Sequence, residues 1–159
     1  MRTRLTLAAV VAALLGAFLL PHAALGLGGH HGRAAQHQRF IGLGTNPTSK
    51  TQTVLGFGAI HARGTDKILS ATKDKFVFPK GALLVTHKRG AHHQTTDKKT
   101  CYLNEHESGT FTITGGTGAY AGASGSGTYS ASVVAVGCNQ NKPPSVFMIQ
   151  IHAAGSITP

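Results

Sequence analysis

Phe111-Thr112-Ile113-Thr114-Gly115-Gly116-Thr117-Gly118-Ala119-Tyr120-Ala121-Gly122-Ala123-Ser124-Gly125-Ser126-Gly127-Thr128-Tyr129 is the stretch that decides the fold class. Its first four residues alternate apolar and polar, the period of two that a half-buried strand requires. Gly115-Gly116-Thr117-Gly118 then suits a turn with positive φ angles, which glycine enters at no steric cost. From Ala119 onward small residues dominate. Such density lets strands bend sharply and lets one backbone approach another, which is how a small barrel turns its corners. Gly115, Gly116, Gly118 and Gly122 are the expected corner glycines.

The same alternation, broken by turn residues, extends to both sides. Strands are expected over 54–63, 67–71, 75–78, 82–88, 100–105, 109–114, 125–136 and 145–157. The breaks are Gly64-Thr65-Asp66, Pro79-Lys80-Gly81, Arg89-Gly90, Gly115-Gly116 and Pro143-Pro144, all rich in turn formers. The polar stretch 91–99 reads as a loop ahead of Cys101, at a barrel mouth where ligand contacts concentrate. No segment beyond residue 26 repeats its apolar residues with a helical period. The expectation is an all-β domain: a small antiparallel β-barrel of about eight strands, with a β-sandwich as the alternative.

The N-terminal end has a different character. Arg2 and Arg4 precede an apolar run over 5–20 that only Thr6 and Gly16 interrupt, and Pro21 follows. Ala24-Leu25-Gly26 places small residues where a signal peptidase needs them. Residues 1–26 are therefore expected to be a cleavable export signal, since the apolar run falls short of the ~20 residues a spanning helix requires. No later segment approaches 18 apolar residues, so no membrane span is expected after cleavage. Residues 27–53 carry Gly28-Gly29, His30-His31 and few large apolar side chains, and are expected to form a flexible low-complexity arm. The barrel domain is assigned to 54–159. The expected location is extracellular or at the cell envelope.

Cys101 and Cys138 are the only two cysteines. In an oxidising compartment two such thiols pair, and closing a loop of this length stabilises a fold by about 3–4 kcal/mol in the chain-entropy view. The 15 basic residues outnumber the five acidic ones for a formal charge of +10. Without Arg2 and Arg4 the balance is 13 − 5 = +8. A surplus of this size favours polyanions. The basic residues form no run of five and have little aromatic interleaving, so no specific nucleic-acid partner is expected. The expected partners are a small apolar ligand or a polyanion, and nothing in the sequence sets an oligomeric state.

Ile113-Thr114-Gly115-Gly116-Thr117-Gly118-Ala119-Tyr120-Ala121-Gly122-Ala123 resembles the Gly-Gly-Thr/Ser-Gly-x-Phe/Tyr-x-Gly-Ala hairpin of allene oxide cyclase and dirigent-type β-barrels. The stretch 58–157 also resembles a group of small secreted bacterial proteins of unknown function. The matching features are Phe78-Pro79-Lys80-Gly81, Cys101, Cys138 and the closing Ala153-Ala154-Gly155-Ser156-Ile157. The resemblance implies a secreted barrel able to hold a ligand, with a cyclase or isomerase activity as the alternative.

Few residues suggest chemistry. In Glu105-His106-Glu107 the two carboxylates share one face of a strand, about 7 Å apart, and His106 takes the other. Cys101 and Leu103 lie on the Glu105 side, so Glu105, together with Tyr102, is the catalytic candidate if that face is interior; a solvated strand end is the other outcome. Gly116-x-Gly118-x-x-Ala121 lacks the helix that a dinucleotide site needs. Ser124 and Ser126 sit in no nucleophile elbow. His30-His31 and His92-His93 lack metal-ligand spacing, and neither metal nor cofactor is expected. The function expected is that of a secreted, non-enzymatic barrel binding a small apolar ligand or an acidic envelope polymer. The alternatives are a cyclase-type isomerase and a structural or interaction protein of the envelope.

Overall fold

The computed structural model describes residues 33–139 and 141–159. The export signal assigned to 1–26 and the first residues of the assigned arm lie outside them. Eight strands follow in order: β1 (Gln36–Gly44), β2 (Thr51–Gly58), β3 (Ala62–Ser70), β4 (Lys73–Phe78), β5 (Gly81–Asp97), β6 (Tyr102–Gly118), β7 (Ser124–Val136) and β8 (Val146–Thr158). Each pairs antiparallel with the next, and β8 returns to β1 from Gln36↔Ile157 to Gly44↔Ile149, closing the barrel. A closed barrel leaves no free sheet edge. It replaces the sandwich alternative.

Several boundaries differ from the expectation. The assigned arm contains β1 and the start of β2, so the barrel begins at Gln36, not at residue 54. Sparse large side chains suffice here because the period of two holds: Gln38, Phe40 and Gly42 face inward while Arg39 is exposed. Phe40 then meets the rings of Phe76, Phe78 and Phe111. Gly64-Thr65-Asp66 is not a turn but the middle of β3. The glycine is needed for space: a Cβ at Gly64 would lie 2.4 Å from the Val77 carbonyl oxygen and 2.7 Å from the Phe78 ring.

The stretch 91–99 is largely strand rather than loop, since β5 runs to Asp97. A bulge between Arg89 and His92 re-aims the chain, and the outer half of β5 keeps pairing with β6. Its backbone hydrogen bonds are thus satisfied by β6 although its side chains stay exposed, which is why it looks loop-like in composition. The segments expected at 100–105 and 109–114 are one continuous strand, β6. Gly118 and Gly122, at φ 62° and 81°, flank the β6–β7 turn. Gly115 and Gly116 lie within β6 beside a register shift opposite Leu84, a bulge that bends the sheet.

The turns fall into two groups. The β2–β3, β4–β5 and β6–β7 connections close one end over Ile60, Phe78, Leu83, Ile113, Tyr120, Ala123 and Ile157, all buried. Each such large side chain contributes about 1.5–3 kcal/mol on burial. Gln38 is the polar exception and is satisfied: its Oε1 accepts from the Ile60 N–H at 2.7 Å and its Nε2 donates to the Ile60 carbonyl at 3.1 Å. At the opposite end β5, β6, β7 and β8 continue past the shorter strands. There Cys101 and Cys138 are joined, with Cα atoms 4.9 Å apart. The bond ties the β5–β6 turn to the β7–β8 connection. Among the described residues no helix is long and apolar enough to cross a membrane.

Candidate functional site

Where the closed end is apolar, the interior toward the other end is not. The sequence holds five acidic residues: Asp66, Asp74, Asp97, Glu105 and Glu107. Asp97 caps the β5–β6 turn, accepting from the Lys99 N–H at 2.8 Å and the Thr100 hydroxyl at 2.9 Å. The other four take inward positions or pair with a base.

Asp66 projects from β3 and is 4% exposed. Its Oδ2 accepts from Gln52 Nε2 at 2.7 Å, while its Oδ1 is buried without a hydrogen-bond partner. Burial pushes its pKa up to about 7, against the lowering effect of Gln52. The ionised form loses water there and regains little. Asp74, on β4, shares its face with Phe76 and Phe78 by strand alternation. Its Oδ2 lies 3.3 Å from Nε2 of His87, on β5. Burial raises Asp74 to about 6.

A second group sits beside the first. The Tyr129 hydroxyl donates to Glu107 Oε1, and Arg89 Nε lies 2.6 Å from Glu107 Oε2. Desolvation, reinforced by the Glu107 carboxylate, drives the Tyr129 phenol well above its ordinary pKa, so Tyr129 stays protonated at neutral pH. Its ring stands edge-on to His87, centroids 5.8 Å apart, and packs over Gly109. A Cβ at Gly109 would sit 2.7 Å from that ring and 2.2 Å from the Lys88 carbonyl oxygen. That close approach explains a glycine at this position within a strand.

These groups line open space. A cavity of about 80 Å³ is bounded by Phe40, Phe76, Phe111, Val85 and Ile151 as well as by Asp66, Asp74, His87 and Tyr129. A mouth of about 280 Å³ adjoins it, sharing Asp74, His87 and Ile151, with Ile68, Phe147 and Ile149 as apolar walls. A larger hollow of about 640 Å³ lies mainly against outward-facing residues such as Arg39, Phe57 and His152; it contains none of the four paired or buried carboxylates.

Of the two sequence candidates, Glu105 lies on the inner side of β6 with Glu107, as alternation requires, but pairs with His92 Nε2 at 2.9 Å. Tyr102 is 38% exposed, opposite Val136 on the outer side. Neither lines the inner cavity. The residues that do, Asp66, Asp74 and His87, were overlooked in the sequence. The signal for Asp74 was present: in Lys73-Asp74-Lys75-Phe76-Val77-Phe78 the carboxylate shares its parity with two phenylalanines and the lysines take the other face. Among the described residues no cluster of three His, Cys, Asp or Glu side chains could hold a metal ion. Compared with protein-family models, with curated proteins and with solved structures, the chain matches none.

Proposed function

We propose that this is an exported barrel protein that holds a small, largely apolar molecule in the open end of its barrel. The carrying observation is the adjoining pair of spaces, inner cavity and mouth, walled by Phe40, Phe76, Phe111, Ile149 and Ile151. Concave, mainly apolar spaces with a few convergent polar groups are where small ligands bind. The joined Cys101 and Cys138 suit an oxidising compartment, in keeping with the export signal expected over 1–26. The resemblance to ligand-holding barrels of the allene oxide cyclase and dirigent type favours the same reading.

1-Octanol serves as a probe. Titrated into the secreted protein, it should shift the methyl resonances of Ile149 and Ile151 saturably, and Ile151→Trp, which fills the junction of cavity and mouth, should abolish the shift while the barrel stays folded. No saturable shift, or one that survives Ile151→Trp, would overturn the proposal. A cyclase or isomerase working in the same place would return a supplied ligand chemically altered rather than unchanged.

A second reading, association of the outer surface with an acidic envelope polymer, is favoured by one observation. Lys67 and Lys75 stand directly opposite on β3 and β4, and like charges so placed repel unless an anion intervenes. Both readings can hold at once, because one uses the interior and the other the outside.

A further inference from the structure

We infer that the interior site selects an amine: a primary or secondary ammonium group seated against Asp66 and Asp74 and the rings of Phe40, Phe76 and Phe111, with an apolar body running out through the mouth. The inference rests on the reading of the barrel as a ligand holder and specifies the ligand's chemical class.

Four observations converge on it. The first is the unpartnered oxygen. Asp66 is almost wholly buried in the cavity wall, Gln52 engages only its Oδ2, and its Oδ1 is buried with nothing to accept from. A buried acceptor left in this state costs about 1–3 kcal/mol, which a ligand donor would recover. The second is the neighbouring carboxylate of Asp74 on the same cavity wall, which makes the field there attractive to a cation and repellent to an anion.

The third is aromatic. Phe40 lies 5.3 Å from Phe76 and 6.4 Å from Phe111, centroid to centroid, each pair edge-to-face. All three line the cavity beside the carboxylates. Ring faces attract ammonium groups, the more so when water is excluded. The fourth is what the chain does not place there. It carries 15 lysines and arginines, yet none is among the residues lining this cavity. The nearby cation, Arg89, is engaged by Glu107, and His87, on the same wall, is engaged by Asp74. No lysine or arginine is thus left as the positive partner of Asp66.

Other ligand classes fit less well. A carboxylate or phosphate would face two acids. A hydrocarbon would leave Asp66 Oδ1 unpaired. A quaternary ammonium would satisfy the rings but has no N–H to donate to that oxygen. The inner space of about 80 Å³ suits a head group of a few heavy atoms, and the mouth of about 280 Å³ suits a short chain.

The test is a matched series on the secreted full-length protein at pH 8: n-octylamine, 1-octanol and octanoate, followed by the Ile149 and Ile151 methyl resonances. Octylamine should bind at least tenfold tighter than octanol, and octanoate weakest. Asp66→Asn should bring octylamine down to the level of octanol. In the unaltered protein, octylamine should move the Asp66 side-chain carboxyl carbon resonance to its ionised position at pH 6.5, a readout that needs no variant. Equal binding of amine and alcohol, or amine binding indifferent to Asp66→Asn with no change at the Asp66 carboxyl, would overturn the amine inference while leaving the ligand-holding barrel intact. Failure of all three compounds to bind would overturn both.

Discussion

The two ends of this barrel are built on opposite terms. At the closed end, Leu83, Ile113 and Ile157 are at most 2% exposed and the one polar side chain, Gln38, has both its amide atoms engaged. At the open end, carboxylates, an imidazole and a phenol crowd the same interior, and one carboxylate oxygen has no partner. The first arrangement contributes to stability and the second subtracts from it. A fold keeps groups in unfavourable surroundings only when the rest over-determines the structure, and such groups cluster at functional sites. The contrast therefore points to the candidate site without reference to any relative.

The sharpest way to break the contrast is to make the same cut at both ends. Leu83→Ala removes a side chain with no exposed surface, and should lower unfolding free energy in urea by about 3–4 kcal/mol, since the surrounding sheet cannot collapse into the cavity. Ile149→Ala, at the half-buried mouth, should cost about 1 kcal/mol. Equal losses would mean that the open end is packed like the closed one, and the functional reading of that end would fail.

A second comparison uses pH. The unfolded carboxyl of Asp66 titrates near 3.8 and the folded one near 7. Between these values the folded state binds more protons than the unfolded state, so its stability falls as pH rises from about 4 to about 7 and levels off above. Asp74, raised to about 6, adds a slope of the same sign over about 4 to 6. Gln52, Asp74 and His87 are the groups whose hydrogen bond or charge acts on Asp66. Asp66→Asn keeps an acceptor for Gln52 and removes the charge. The variant should match the parent near pH 4 and exceed it by up to about 4 kcal/mol at pH 8, the gap between the two titrations converted at about 1.4 kcal/mol per pH unit. Thermal unfolding at the two pH values reads the difference, and a variant less stable than the parent at pH 8 would show that Asp66 is satisfied by a partner within the fold.

The closed end was the legible one. Phe111-Thr112-Ile113-Thr114 and the glycines after it give the barrel class through alternation and punctuation alone, and the pairing of Cys101 with Cys138 follows from there being only two thiols. Three kinds of residue misled. Gly64 reads as a turn, but it is a strand glycine that makes room for the Phe78 ring, as Gly109 does for the Tyr129 ring. Close packing against a neighbouring strand leaves no local mark that separates it from a turn. Gln36–Gly44 reads as an arm because only Phe40, Ile41 and Leu43 are large and apolar there; its order comes from pairing with β2 on one side and, on the other, with β8, remote in sequence. Asp66 and Asp74 were missed for another reason. Between lysines and threonines a carboxylate passes for surface, and only the parity it shares with Phe76 and Phe78 reveals that it points inward.

The smallest expected effect concerns the carboxylate that the sequence did single out. Glu105 lies on the same side of β6 as Glu107 but two residues nearer the β5–β6 turn, about 7 Å further along the strand. Its partner is His92, whose side chain is 35% exposed, whereas Glu107 is held by Arg89 and Tyr129 beside the cavity. A pair as wet as Glu105–His92 contributes at most about 0.5 kcal/mol. Glu105→Gln should therefore leave urea unfolding within that margin and octylamine affinity unchanged. Alternation alone cannot rank two carboxylates on one face; what separates them is the partner each one holds. Glu107 is bonded to Tyr129, which lines the inner cavity, whereas Glu105 is bonded to His92, which does not. A Glu105→Gln variant that lost octylamine binding would place the ligand in the extended hairpin instead, and would reverse the assignment of which end of β6 is the interior.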